Sequence, residues 1–120
     1  MSLVKTAAGL ALVALTGYLA GNLGALAAGE RVIKVQARMF EYQPNRITLK
    51  KGEPVVIEFT SLDRVHGFNA AELGVRADVI PGKVARVRLV PQKTGTFSFN
   101  CDLFCGERHD TMDGTIIVSD

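Results

Sequence analysis

Cys105, His109 and Met112 stand close together in one stretch, three and then two residues apart, and offer a thiolate, an imidazole and a thioether. Soft sulfur ligands combined with imidazole select copper, and a weak, long thioether is typical of electron-transfer copper. A second imidazole is needed, and the chain holds only one other histidine, His66. Cys101 is surplus to a single-copper set. A second thiolate four residues before Cys105 lets two sulfurs bridge two copper ions, with one histidine for each. Met112 can then be the weak axial ligand of one copper, and a backbone carbonyl between the cysteines that of the other. Every cysteine and histidine of the chain is then used.

Other readings stay open on these residues alone. A Cys101–Cys105 disulfide would close a small loop, contribute less than a long-range bridge, and leave His109 and Met112 unexplained. A Cys2His2 zinc site rarely shows so short a Cys-to-His spacing or a methionine. Haem attachment needs Cys-x-x-Cys-His, which the spacing excludes. A mononuclear copper site leaves Cys101 idle. Met39, without such neighbours, reads as core. Asp102, Glu107, Arg108 and Asp110 read as solvated loop positions or a docking rim for a redox partner. Leu103 and Phe104 read as apolar cover limiting water access to the site.

The elements that must position these residues read as strands. Residues 32–40 and 84–90 alternate with a period of two, and 54–60 is a β-branched run with Pro54 at its start, where a strand tolerates proline. Shorter strands are expected at 46–49, 96–100 and 115–118, with turns at 42–45 and 50–53. Residues 61–82 read as irregular. No amphipathic helix follows residue 28, so the expectation is an all-β Greek-key barrel or sandwich rather than a βαβ fold. In a sandwich, loops from distant strands cluster at one end, which lets His66 meet the 101–112 loop.

Residues 6–28 carry no charge. They are long enough to span a bilayer, and the run 7–20 followed by Ala25-Leu26-Ala27 also has the form of a signal peptide with its cleavage site. The chain therefore divides into a signal peptide or membrane anchor helix over 1–28 and a domain over 30–120. Either reading places the domain on the periplasmic or extracytoplasmic side, where two cysteines survive as a disulfide or as metal ligands. At 120 residues and net charge +2 there is room for one domain and no basic stripe for nucleic acid. No acid–base pair, nucleophile triad or phosphate loop is present, so the chain is not expected to be catalytic alone.

Cys101-x-x-x-Cys105-x-x-x-His109-x-x-Met112, with an upstream histidine, closely resembles the copper A domain of cytochrome c oxidase subunit II, most of all its compact B-type form. The same site occurs in nitrous oxide reductase. Phe40-x-Tyr42-x-Pro44-Asn45, Ser61-x-Asp63-x-Val65-His66-Gly67-Phe68, Gly74-Val75-x-Ala77-Asp78-Val79-Ile80-Pro81-Gly82 and Met112-x-Gly114-Thr115-Ile116-Ile117-Val118 carry the likeness across residues 32–120. The resemblance implies a cupredoxin Greek-key barrel holding a dinuclear copper A centre. Cys101 and Cys105 would bridge two copper ions, His66 and Met112 would complete one, and His109 with the Leu103 backbone carbonyl the other. It further implies electron transfer from a cytochrome c-like or cupredoxin donor to oxidase subunit I, with the membrane as a neighbour if residues 6–28 are retained. Two features depart from the larger subunits II. Tryptophan is absent, with Phe40 beside Arg38 in the region that receives electrons, and little chain separates the apolar segment from the first strand. A stand-alone exported copper A carrier is the alternative. A copper chaperone or assembly factor is a further one, although thioredoxin-like chaperones place Cys-x-x-x-Cys near the start of a βαβ pattern.

Overall fold

The structure is a computed structural model and describes residues 30–120; the signal peptide or anchor expected over 1–28 lies outside the described residues. Nine strands follow in order: β1 (Arg31–Arg38), β2 (Glu41–Gln43), β3 (Arg46–Lys50), β4 (Val55–Ser61), β5 (His66–Ala70), β6 (Val75–Val79), β7 (Ala85–Leu89), β8 (Gly95–Asn100) and β9 (Asp113–Ser119). Single 3-10 turns occupy Ala71–Leu73 and His109–Thr111. Among the described residues no helix is long and apolar enough to cross a membrane.

The strands form two sheets, ordered β2-β1-β4-β7 and β3-β9-β8-β5-β6. The chain passes repeatedly from one sheet to the other, so the all-β expectation holds. Two pairings are parallel and join distant parts of the chain: β1 with β4, and β3 with β9, where Arg46 faces Thr115.

The period of two decides what each strand buries. Val35 and Ala37 of β1, Ile57 and Phe59 of β4 and Val87 and Leu89 of β7 point inward from the first sheet. Ile47, Leu49, Phe68, Phe99, Ile116 and Val118 meet them from the second. Each such large side chain contributes roughly 1.5–3 kcal/mol by leaving water. Phe59, Phe68, Phe99 and Tyr42 form a continuous line of rings, with centroids 4.3, 5.1 and 5.0 Å apart in turn. Gly114 of β9 lies against this line. A Cβ there would sit 2.2 Å from the Phe99 ring and 2.6 Å from the Asn45 carbonyl, so only glycine fits.

Three expectations need correction. Residues 61–82 are not irregular, because they contain β5 and β6. β5 is buried on both faces at His66, Gly67 and Phe68, so it shows no alternation, and Gly67 and Asn69 are poor strand formers. Residues 42–45 are not all turn, since Tyr42 and Gln43 pair with β1 through β2. Met39 is not core: it stands past the end of β1 and is 44% exposed.

Candidate metal centre

The site lies where β5, β8 and β9 end together. β8 and β9 are antiparallel neighbours up to Asn100 opposite Asp113. Beyond them the Cys101 N–H donates to the Met112 carbonyl at 3.1 Å, so the two ends of the 101–112 loop are clamped. Inside the loop the His109, Thr111 and Met112 amides donate to the carbonyls of Gly106, Arg108 and His109, winding it into consecutive tight turns. His66 opens β5 on the neighbouring strand.

The sequence-predicted donors converge. Cys101 Sγ and Cys105 Sγ are 3.6 Å apart, and both cysteines are free and buried. From Cys105 Sγ it is 3.7 Å to His109 Nδ1 and 3.8 Å to Met112 Sδ. The Cys101 thiol donates to the Leu103 carbonyl oxygen at 3.1 Å. Ligand atoms of His66, Cys101 and Cys105 all lie within 4.8 Å of one another. His66, Cys105 and Met112 are fully buried, whereas His109 is half-buried, its ring centroid 5.9 Å from that of Phe104. Donor atoms around a four-coordinate metal with bonds of about 2.3 Å stand about 3.7 Å apart, close to the spacings found here.

His66 gives a second indication. Its Nε2–H donates to Asp63 Oδ1 at 2.7 Å, while its buried Nδ1 has no hydrogen-bond partner. An unpaired buried nitrogen is costly unless a ligand takes its lone pair. Asp63 is itself held by the Met39 amide at 2.8 Å and the Arg64 amide at 2.7 Å. Desolvation pushes the Asp63 carboxyl up, but the hydrogen bonds from Met39, His66 and Arg64 outweigh it and hold the group below its usual range. Burial, then hydrogen bonding and charge at Cys101, push the Cys105 thiol up to about 11. Metal binding at such a site releases thiol protons. Burial, then the Cys101 side chain, push the Tyr42 hydroxyl above its ordinary range.

Several residues that spacing alone did not assign support the donors. Arg64 Nη1 donates to the Cys105 carbonyl at 3.2 Å. Asp102, read from sequence as a solvated or docking position, is instead paired with Arg76 of β6, whose Nη2 lies 2.9 Å from Asp102 Oδ1 and whose Nη1 lies 2.7 Å from Asp78. Those hydrogen bonds, to Asp102 first and Asp78 second, hold the Arg76 guanidinium above its usual range. Arg108 covers the Phe40 ring at 5.6 Å. Phe104 does not shield the donors from water as expected, because it is 81% exposed, and Leu103 is half-buried. The proximity of Asp63 to His66 in sequence was the one signal that could have named a supporting residue.

A two-sheet β fold with sulfur and imidazole donors gathered at one end defines a class of domain. The family model for the cupredoxin-like domain matches residues 8–118, and the chain belongs to that family. It is similar to cytochrome c oxidase subunit 2 of Thermus thermophilus, with 36% identity over 88 residues, and the match covers 73% of this chain and 65% of that one. A chain from a heme-copper terminal oxidase dimer solved by cryo-EM is 26% identical with a TM-score of 0.68, covering 96% of this chain and 98% of its own length. The periplasmic domain of subunit II of cytochrome oxidase (CoxB) of Bradyrhizobium japonicum shares the fold, with 22% identity, a TM-score of 0.69, and coverage of 75% of this chain and 84% of that one. The expected kinship with cytochrome c oxidase subunit II and the expected cupredoxin fold are both borne out.

Proposed function

We propose that this domain transfers electrons through a dinuclear copper A centre held by Cys101, Cys105, His66, His109, Met112 and the Leu103 carbonyl. The observation that carries the reading is the pair of free, buried cysteines with sulfurs 3.6 Å apart beside the unpartnered Nδ1 of His66. When bound, the copper pair supplies a one-electron couple whose charge is spread over two thiolates.

The chain's own residues keep the donors still while that charge changes. Strand ends fix His66, Cys101 and Met112, and the clamp from the Cys101 N–H to the Met112 carbonyl closes the loop between them. Asp63 holds the His66 ring through Nε2 and leaves its buried Nδ1 free for a ligand. Arg64 and Arg76 tie the loop to the β4–β6 region through the Cys105 carbonyl and Asp102. A site that needs no movement of its donors suits electron transfer.

In the cell the domain would accept electrons from a cytochrome c-like or cupredoxin donor and pass them to oxidase subunit I. The likeness to the oxidase-dimer chain over nearly its whole length supports a subunit rather than a stand-alone carrier. Residues 1–28 would carry the domain, residues 30–120, to the periplasmic face as a signal peptide or retain it there as an anchor. Copper quantification and optical spectroscopy of the loaded protein test the centre. Two coppers per chain, a purple oxidised form and hyperfine splitting from two equivalent nuclei are expected. One copper per chain in a fully loaded sample rejects the dinuclear reading.

A further inference from the structure

The second sheet has a gap beside the donors, and Gly67 faces it. β5 pairs with β8 at Asn69 opposite Asn100. Continued towards His66, that register would set Gly67 opposite Asp102, where the chain has already left β8 and become the ligand loop. In an antiparallel ladder the N–H and C=O of one residue point to the same side. At Gly67 both therefore face a place with no strand, and side chains take them. The N–H donates to Cys101 Sγ at 3.3 Å, and the carbonyl accepts from the Tyr42 hydroxyl at 2.6 Å. The same glycine is covered by Asp102: a Cβ would come 2.0 Å from Asp102 Oδ1. Tyr42, Gly67 and Cys101 are all buried.

We propose that Tyr42 is a positioning residue for the metal centre: by fixing the Gly67 carbonyl it aims the Gly67 N–H at the Cys101 sulfur and thereby tunes the reduction potential. Glycine has the freest backbone of any residue, and although Gly67 stands opposite Asp78 of β6 on its other edge, its N–H and C=O have no ladder partner on this side and take an outside anchor. The Tyr42 ring is itself fixed by an edge-on contact with Phe99 at 5.0 Å, so the hydroxyl arrives at a defined place. Hydrogen bonding around a coordinating cysteine sulfur tunes the potential of copper sites. An N–H donated to a thiolate offsets the added negative charge of the reduced state, so weakening it lowers the potential. The orientation stands on the protein alone; only the effect on potential rests on the copper reading of this site.

The test is Tyr42→Phe, which keeps the ring and removes the hydroxyl, with Ile57→Val as a core variant of reduced stability in the other sheet. Amide exchange is followed by NMR in the apo protein, and potential and spectrum in the copper-loaded protein. In Tyr42→Phe the Gly67 amide should exchange about fivefold faster relative to Asn69, the worth of one neutral hydrogen bond as an equilibrium ratio. Its loaded form should keep the wild-type copper count while its potential falls and its sulfur-to-copper bands shift. Ile57→Val should change neither. Uniform acceleration across β5, or an unchanged potential in a variant with full copper, overturns the proposal. Should the wild type fail to bind two coppers, the functional reading fails, while apo exchange at Gly67 still decides the role of Tyr42.

Discussion

His66 hands one ring nitrogen to Asp63 and keeps the other bare: Nε2 is 2.7 Å from Asp63 Oδ1, and the buried Nδ1 bonds to nothing. A carboxylate that accepts from one nitrogen fixes the tautomer and leaves the lone pair of the other available to a ligand. Asp63→Ala should therefore lower copper affinity by about 10–100-fold, the usual effect of losing such a partner. It also strands the buried His66 Nε2–H and should cost the apo domain about 1–3 kcal/mol. Chelator competition and denaturant unfolding measure the two effects, and an unaltered affinity would show that the ring is oriented by packing alone.

Substituting the cysteines separates bridging from packing. Serine is nearly isosteric with cysteine, so Cys101→Ser should fold normally in the apo form. A hydroxyl does not bridge copper as a thiolate does. Cys105, His66, His109 and Met112 remain, so the variant should bind one copper with a mononuclear spectrum. Cys105→Ser should be worse, because His109 Nδ1 and Met112 Sδ both stand within 3.8 Å of that sulfur. Two coppers and an unchanged spectrum in both variants would defeat the bridging assignment.

The donors were legible before the strands that hold them. Cys101, Cys105, His109 and Met112 lie in one loop, where spacing itself limits what they can bind. His66 was found by elimination, since the chain has no other histidine to offer. Its strand was not visible, because β5 is buried on both faces and a pattern of two needs one wet face to show. β6 does alternate, with Arg76 and Asp78 outward, but it is short and lies between Gly74 and Pro81-Gly82, which read as loop punctuation. The supporting set of Tyr42, Arg64 and Arg76 depends on pairing between distant strands, which no local spacing encodes.

Arg76 offers a test of how the loop is held. Its side chain is 41% exposed, so Arg76→Gln should leave global stability nearly unchanged. Asp102 is the neighbour of Cys101, and freeing it should speed copper release without altering the copper count. Stopped-flow transfer to a chelator measures the rate. A rate equal to wild type would assign the hold to the β8–β9 clamp alone.

Gly114→Ala should be costly despite adding one methyl group. The new carbon would stand 2.2 Å from a Phe99 ring that is fully buried and 2.6 Å from the Asn45 carbonyl, so ring or backbone must move. Overpacking of this kind costs about 1–3 kcal/mol. In a domain of this size each kcal/mol lowers the unfolding midpoint by about 4–8 °C. Calorimetry of the apo protein reads it directly, and an unshifted midpoint would mean that β9 is free to slide.

The parallel seating of β9 on β3 reaches beyond the finished fold. Arg46 meets Thr115 across most of the domain's length, and such a pair can form only after a long stretch of chain has been closed, at an entropic cost that no local contact repays beforehand. Domains dominated by such distant pairings fold in milliseconds to seconds. The loop carrying Cys105, His109 and Met112 lies immediately before β9 and is closed locally, by the pairing of β8 with β9. Most of the donors can thus meet early, while His66 joins them only with the longer-range pairing of β5 against β8, and the domain around the site is completed by the slow seating of β9 on β3.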